Sequence, residues 1–239
     1  MKYKSELLSK EIVAERTTVF HFKKPTDFQF TAGQFIDMTL VSPTETDVEG
    51  NTRAFSIASA PYESDVTIVT RMRDSSFKRV LSKAEAGLSV EIEGPIGSFF
   101  LHEKSSRPAI ILVGGIGITP FMSILKDATE KKLPHKIYLF YSNRRLEDAV
   151  FLDILNDLKN KNPNLTFVPT MTQADKSAVK WDGETKYINL EMIDKYVKDK
   201  KDAVYYMAGP QLMVYAMRNL LTSSGISNDD IRFEEFDGY

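Results

Sequence analysis

The sequence has 239 residues, enough for two domains of ordinary size. Hydrophobic residues make up 42% and charged residues 27%, and 31 Lys and Arg against 33 Asp and Glu exclude a general attraction to nucleic acid or anionic membranes. There is no cysteine, which excludes disulfides, iron-sulfur clusters and thiolate metal sites, so any redox chemistry needs a bound organic cofactor.

The chain shows no sign of export, membrane insertion or metal binding. Its first residues are of mixed polarity without the apolar stretch of a secretory signal, and no later run reaches transmembrane length. We therefore expect a cytoplasmic protein without a membrane span. His21, His102 and His135 are far apart and lack metal-ligand spacing, which predicts no metal site.

Up to about residue 100, short apolar segments are separated by turn residues, a pattern typical of an antiparallel β-barrel or sandwich. One helix is predicted in this part, over residues 76–86, with Asp74 and Ser75 as capping groups and Gly87 as its stop. The predicted strands cover residues 18–22, 34–41, 53–58, 66–71 and 88–92.

After residue 108, strands alternate with helices, which predicts an α/β domain with a mainly parallel sheet. We therefore expect two domains, an antiparallel barrel over residues 1–103 and an α/β domain over residues 108–239. The predicted strands are 109–113, 136–141, 165–170, 204–208 and 233–236, and the predicted helices are 119–131, 147–159, 190–196 and 211–223.

A glycine turn joins the first strand of the second domain to its first helix. Gly114, Gly115 and Gly117 let the backbone approach a phosphate closely, and a pyrophosphate is the natural ligand. Thr119 is placed to cap the helix, and Pro120 occupies its first turn. The alternative is a tight turn with a structural role only. Its place in the first crossover favours binding, since open sheets bind ligands at the carboxyl ends of their strands.

The segment Arg53-Ala54-Phe55-Ser56 offers a cation, an aromatic face and a hydroxyl on one strand. Alternate strand positions face one way, so we expect Arg53 and Phe55 to share a side and Ser56 to face the other. Taken alone, the segment is compatible with an ordinary edge strand.

This segment resembles the flavin-binding signature Arg-x-Tyr/Phe-Ser of the ferredoxin-NADP reductase family. The resemblance covers most of the chain, with two departures: Phe55 replaces the commoner Tyr, and Ala208 stands where many relatives have Cys. The matching segments follow in the family's order, at residues 53–56, 70–76, 94–97, 114–120, 141–144, 207–210 and 233–239.

The resemblance implies a role for each motif. Arg53 would hold a flavin phosphate, Phe55 would pack on the isoalloxazine ring, and Ser56 would meet its N5 edge. The helix start at Ser75 and Ser76 would bind a diphosphate, which favours FAD over FMN. The remaining residues implied in cofactor binding are Ala54, Thr70, Arg71, Met72, Gly209 and Pro210, with Thr119 near the path of the nicotinamide.

The end of the chain adds candidates that the family also suggests. Tyr239 could stack on the flavin and be displaced by nicotinamide, as the terminal aromatic of plant-type relatives does; a free tail is the alternative. Glu235 is a candidate for a polar catalytic role near N5, and Glu234 is a second. Before Glu147, the sequence contains Ser142, Arg144 and Arg145, and these cations slightly favour NADPH over NADH because a 2'-phosphate prefers Arg or Ser.

The resemblance implies an FAD-dependent NAD(P)H oxidoreductase. Hydride would pass from the nicotinamide to FAD N5, and electrons would then pass to a protein acceptor such as a ferredoxin, a flavodoxin or an oxygenase. One alternative is a flavin-binding electron-transfer subunit of a larger complex, which the missing cysteine cluster argues against. Another is a flavin-free nucleotide-binding module.

Overall fold

The computed structural model describes residues 1–236, so Tyr239 lies outside the described residues. The chain forms two compact units. The first consists of residues 1–100 and 119–127, and the second consists of residues 101–118 and the chain from residue 128 onward.

The first unit is built on six antiparallel strands in the order β4-β3-β6-β1-β2-β5. Beyond the end of β4, Ala58 N donates to Thr67 O of β5 at 2.8 Å, so the sheet closes on itself as predicted. Its elements are β1 Lys2–Ala14, β2 Thr17–Lys23, β3 Phe35–Leu40, β4 Thr52–Ser56, β5 Asp65–Arg71, α1 Ser76–Lys83 and β6 Ser89–Ile96.

Strand β1 was not predicted, although it is the longest strand described. It pairs with β2 on one side and β6 on the other, and thus holds the middle of the sheet. Most of its side chains are exposed or half-buried, and among its apolar residues only Leu7 is fully buried. A strand that contributes so little to the core lacks the alternation by which strands are recognised.

Helix α1 begins where the sequence places it. The side chain of Ser75 caps it by accepting from Lys78 N at 3.3 Å, and Phe77 and Leu81 are buried in the core of the first unit. The helix ends at Lys83, three residues short of the predicted end, because Ala84 is extended and its N–H bonds back to Leu81 O.

The second unit contains a five-stranded parallel sheet in the order β11-β10-β7-β8-β9, which confirms the predicted α/β class. Helices α4 and α5 pack on one face of it, where Met192 and Val214 join a buried cluster with Leu112. Its elements are β7 Ala109–Gly114, β8 Ile137–Asn143, α3 Leu152–Lys161, β9 Leu165–Met171, α4 Leu190–Tyr196, β10 Val204–Pro210, α5 Gln211–Ser223 and β11 Ile231–Phe236.

Helix α2, Thr119–Glu130, follows β7 in the chain, and its residues 119–127 cluster with the first unit. Within that unit, Phe121 packs edge-on against Phe99 with ring centroids 5.3 Å apart, and Lys126 pairs with Glu63 at 2.9 Å. No helix in residues 1–236 is both long enough and apolar enough to cross a membrane.

Helix α3 begins five residues later than predicted. Asp148 accepts from the backbone N–H and the side chain of Arg145, which closes a tight turn ahead of the helix. Phe151 then adopts a left-handed conformation with φ 65°, which an α-helix cannot contain. The helix therefore starts at Leu152.

Candidate functional site

The first candidate site surrounds the N-terminus of α1. Arg53 and Phe55 of β4 lie on the same side of their strand, as predicted, because both reach Phe77 of α1. The Arg53 guanidinium lies 5.5 Å from the centre of the Phe77 ring, and the Phe55 ring centroid lies 5.7 Å from it. The strand thus presents a cation and an aromatic ring together at the start of the helix.

A carboxylate lies on this helix start. Asp47 Oδ2 accepts from Ser76 N at 3.2 Å and from Ser76 Oγ at 2.7 Å. Asp47 Oδ1 accepts from the Arg53 guanidinium at 3.2 Å. These hydrogen bonds, that from the Ser76 hydroxyl above all, lower the pKa of Asp47. We call Arg53, Ser76 and the amide end of α1 the cradle; its donors already converge on an oxyanion.

More positive charge surrounds the cradle. Burial lowers the pKa of Lys78, in the first turn of α1, and the nearby charges of Arg73 and Arg53 lower it further. Arg71 Nε is buried and makes no hydrogen bond within the described part of the chain. Cations that repel each other and a buried donor without a hydrogen bond both favour the binding of a polyanion at this place. The residues around the start of α1 therefore fit the diphosphate of FAD.

The other residues predicted to bind flavin lie on β4 and at the end of β5. Ser56 and Thr70 are buried, and Met72 is half-buried against the core of the first unit. Ser56 ends β4 opposite Phe35 of β3, whereas Ala54 is exposed. The sequence reasoning missed Asp47 and Lys78, because an acid in a loop and a lysine on a helix ordinarily belong to a solvated surface.

Asp47 belongs to a loop segment that we call the acidic strap, residues 44–50, between β3 and β4. It carries Glu45, Asp47 and Glu49 and no basic residue. Glu45 pairs with Arg79 of α1 at 2.7 Å, and Glu49 pairs with Arg53 at 2.9 Å. All three acids of the strap are thus paired with cations of the first unit.

The second candidate site is the glycine turn between β7 and α2. The chain leaves the strand at Gly114, passes through Gly115 with φ 53°, and forms a short 3-10 turn over Gly115–Ile118. A Cβ on Gly117 would meet Gly209 N at 2.7 Å and would lie closer still to Ala208 O. Gly117 is therefore required by the packing of the two turns, besides any role in binding a ligand.

The turn after β10 meets the glycine turn directly. Gly209 has φ 148°, and a Cβ there would lie 3.1 Å from Gly114 O. A Cβ on Gly114 would lie 2.5 Å from the Met213 sulfur at the start of α5. Pro210 follows as the last residue of β10. The predicted residues of both turns are thus brought together by close packing of their backbones.

These turns lie where the strand order of the sheet reverses. From β7 the chain moves through β8 to β9 on one side, and from β10 it moves to β11 on the other. In open parallel sheets, nucleotides bind in the crevice outside the strand ends at this switch point. The glycine turn therefore lies at the position that such sheets use for a dinucleotide.

The cations predicted to select the nucleotide differ from each other. Arg145 is bonded to Asp148, with Nε at 3.1 Å and a terminal nitrogen at 3.0 Å from its two oxygens. Arg144 is exposed, and Ser142 is half-buried at the end of β8. Because its charge is balanced within its own turn, Arg145 is a weaker candidate for phosphate binding than Arg144.

The two glutamates of β11 also differ. Glu234 lies opposite Ala208 of β10, is half-buried, and has its pKa raised to about 7 by desolvation. Glu235, which the sequence favoured, is exposed. A carboxyl group that titrates near neutral pH can hold or release a proton, so the structure favours Glu234 over Glu235 for a polar catalytic role.

The histidines support the fold. Among the described residues there is no group of three or more potential metal ligands. His102 Nδ1 lies 3.0 Å from Tyr206 Oη, so its ring ties the chain before β7 to strand β10. His135 Nε2 lies 2.7 Å from the His102 carbonyl oxygen, so its ring ties the chain before β8 to the same segment.

A closed antiparallel sheet with an oxyanion cradle and a parallel sheet with a glycine turn at its switch point define a flavin- and nicotinamide-nucleotide-binding oxidoreductase. Two family models match the chain accordingly, an oxidoreductase FAD-binding domain over residues 4–101 and an oxidoreductase NAD-binding domain over residues 111–219. The chain belongs to the ferredoxin reductase-like flavin oxidoreductases, which confirms the family, the fold class and the FAD and nicotinamide cofactors predicted from the sequence.

Two curated relatives are similar over almost the whole chain. The toluate 1,2-dioxygenase electron transfer component of Pseudomonas putida is 26% identical over 98% of this chain and 67% of its own length. The glycine betaine monooxygenase reductase subunit of Chromohalobacter salexigens is 26% identical over 92% of this chain and 60% of its own. The chain spans about three fifths of the length of several relatives it matches.

A solved structure shares the fold over nearly its entire length. The ferredoxin NADP+ reductase from Neisseria gonorrhoeae, solved with bound FAD and NADP, superposes with a TM-score of 0.80 at 21% identity. The match covers 98% of this chain and 98% of that one. The chain therefore shares the fold of that protein.

Proposed function

We propose that the protein is an FAD-dependent NAD(P)H oxidoreductase that delivers electrons to a protein acceptor, with an oxygenase component, a ferredoxin or a flavodoxin as the candidate classes. The observation that carries the proposal is the cradle, where Arg53, Ser76 and the α1 amides already bind a carboxylate. The relatives named as a dioxygenase electron transfer component and a monooxygenase reductase subunit support an oxygenase as acceptor.

We assign the domains as residues 1–103 for FAD and 108–239 for the nucleotide, which the matched ranges 4–101 and 111–219 support. FAD, when bound, joins a two-electron donor to one-electron acceptors. Arg53 and Ser76 hold the diphosphate, Phe55 offers its half-buried ring to the isoalloxazine, and Ser56 lies next on the strand. In the second domain, the glycine turn and Gly209 hold the nucleotide at the switch point.

The chain's own proton-holding group in this scheme is Glu234. Because its pKa lies at about 7, part of the population is protonated at neutral pH, and the group can exchange a proton without a large energetic cost. The exposed Arg144 would contact a 2'-phosphate, with Ser142 beside it, so the proposal keeps a modest preference for NADPH. A cytoplasmic location belongs to the same proposal, since the cytoplasm supplies both reduced nucleotides.

The test is reconstitution of the purified chain with FAD, followed by anaerobic addition of NADH or NADPH and then of cytochrome c as a one-electron acceptor. We expect stoichiometric FAD binding, bleaching of the flavin absorption by the nucleotide, and reduction of cytochrome c that depends on both. A chain that binds nucleotide but no flavin would instead be a flavin-free module. A flavoprotein that no nicotinamide nucleotide reduces would be an electron-transfer subunit only.

A further inference from the structure

The acidic strap places a side chain of the protein on the atoms proposed to bind FAD. Asp47 accepts from Ser76 N, from Ser76 Oγ and from Arg53. A phosphate oxygen at the start of α1 would take its hydrogen bonds from the same donors. The Ser76 hydroxyl has a single proton to donate, so it cannot serve the carboxylate and a phosphate at the same time.

We propose that Asp47 is an internal competitor for the FAD diphosphate, and that the acidic strap must leave the cradle before FAD binds there. This inference rests on the proposed function, because it takes the cradle as the diphosphate site. It makes Asp47 a residue that sets flavin affinity and selectivity: the strap opposes flavins that carry a diphosphate and leaves flavins without phosphate unaffected.

Electrostatic repulsion between Asp47 and the diphosphate is the reason that the strap must move. The strap carries three acids and no base, and a diphosphate brought onto the cradle adds further negative charge beside Asp47 and Glu49. Like charges within hydrogen-bonding distance of the same donors repel each other strongly in a partly buried site, where the Asp47 and Arg53 side chains are 30% and 21% exposed. Asp47 therefore cannot keep its place when the diphosphate occupies the cradle.

The strap is attached in a way that allows it to leave. Within residues 1–236, its backbone makes one backbone–backbone hydrogen bond, from Gly50 N to Asp47 O at 3.0 Å, and both ends of that bond lie in the strap. Thr46 and Val48 are exposed, so no packed core holds the segment. The strap is held by side chains of the first unit. Arg79 pairs with Glu45, and Ser76 bonds Asp47. Arg53 pairs with Asp47 and Glu49 and also donates to the carbonyl oxygens of Glu49 and Gly50 at 3.1 and 3.0 Å. None of these contacts joins β3 to β4, so release of the strap leaves the pairing of the two strands intact.

The experiment measures the dissociation constants of FAD and riboflavin for the flavin-free chain by fluorescence titration. Asp47→Asn keeps the shape of the side chain and removes its charge, and Asp47→Ala removes the acceptor altogether. We expect both variants to bind FAD about tenfold more tightly than the wild type, because a charge-assisted contact no longer competes. Riboflavin has no phosphate, so its dissociation constant should change by less than about twofold.

Asp27→Asn is the matched control, since it removes the same charge from an exposed position of the first unit outside the strap. It should leave both dissociation constants at their wild-type values. Thermal unfolding of each flavin-free variant shows that the compared proteins are folded. Unchanged or weaker FAD binding by both Asp47 variants would overturn the proposal, and so would an equal gain for FAD and riboflavin.

Hydrogen exchange on the wild-type chain tests the displacement without any substitution. FAD should increase exchange at the amides of residues 44–50 while it protects the first turn of α1, and riboflavin should leave the strap unchanged. Protection of the strap by FAD would overturn the proposal. A wild type that binds neither flavin overturns the proposed function itself, whereas a chain that binds both flavins without any effect of Asp47 overturns only the competition.

Discussion

The cradle and the glycine turn both point toward a phosphate-containing ligand, yet they are built from different materials. The cradle consists of the Arg53 and Ser76 side chains with the amide end of α1, and Asp47 is hydrogen-bonded to it. The glycine turn consists of backbone, in which Gly117 and Gly209 have no room for a Cβ without strain or collision. We expect that the binding groups of the cradle can be changed while the fold persists. In the glycine turn, the loop that would bind the ligand is itself part of the packing.

This difference separates affinity from stability. Removing a charge from the cradle should change ligand binding and leave the sheet folded, because the charge is paired with Asp47, which lies on a loop outside the sheet. An atom added to the glycine turn pushes two strand ends apart in the middle of a buried parallel sheet. Mutations in the two regions should therefore be distinguishable by whether they change ligand binding or the free energy of unfolding.

The largest expected effect is on the stability of the second unit. In Gly117→Ala, the new Cβ would collide with backbone atoms of Ala208 and Gly209, which cannot rotate away. We expect the free energy of unfolding to fall by about 3 kcal/mol. Urea denaturation without ligand measures it, with Ser223→Ala at the exposed end of α5 as the control. Wild-type stability of Gly117→Ala would show that the turn is not packed as described.

The next effect compares neighbouring cations. Arg144→Ala should raise KM for NADPH about tenfold and change KM for NADH by less than about twofold, because the loss is that of one charge-assisted phosphate contact. Arg145→Ala should lower stability by about 1 kcal/mol through loss of its pair with Asp148, without a selective effect on NADPH. Steady-state kinetics of both variants with NADPH and NADH show which arginine contributes to NADPH binding. A selective loss of NADPH affinity in Arg145→Ala would reverse the assignment.

The smallest effect concerns Glu234. Its pKa in the folded chain, about 7, lies above the ordinary value of 4.5 for a glutamate, so the folded state binds the proton more tightly than the unfolded state. Its contribution to stability is therefore present below about pH 4.5 and is lost as pH rises through about 7. The full shift would correspond to about 2.5 kcal/mol between pH 5 and pH 8. Because solvent screens the half-buried side chain, the wild type should lose about 1 kcal/mol relative to Glu234→Gln over this range. Glu235→Gln is the control and should follow the wild-type profile; a profile of Glu234→Gln identical to wild type would refute the desolvation.

Much of the fold could be predicted because buried strands and glycine turns leave local patterns. The apolar run before Gly114 and the helix start at Ser75 appear where the sequence places them, as does the shared face of Arg53 and Phe55. Strand β1 could not be predicted, since it is stabilised by backbone pairing on both sides while most of its side chains face water. Strand pairing of this kind leaves no periodic signal.

The parts of the candidate site that lie in local sequence motifs could be predicted, and the contacts between distant residues could not. The cradle's Arg53 and Ser76 lie in recognisable segments, whereas the contact of Asp47 with Ser76 joins residues 29 positions apart through an irregular loop. The hydrogen bonds between Arg145 and Asp148 likewise depend on a tight turn, in a segment where the sequence predicted a helix. Which of several charges is paired is a property of three-dimensional packing, and composition does not reveal it.

The central claim is that the cradle binds the diphosphate of FAD. The affinities of the Arg53→Ala variant for FAD and for riboflavin test this claim most directly. Arg79→Ala is the matched control, because Arg79 lies on the same helix and pairs with Glu45 and Asp74. We predict that Arg53→Ala weakens FAD binding at least about tenfold, leaves riboflavin binding within about twofold and leaves the fold intact, whereas Arg79→Ala does not weaken FAD binding. Equal FAD affinity in Arg53→Ala and the wild type would contradict the account.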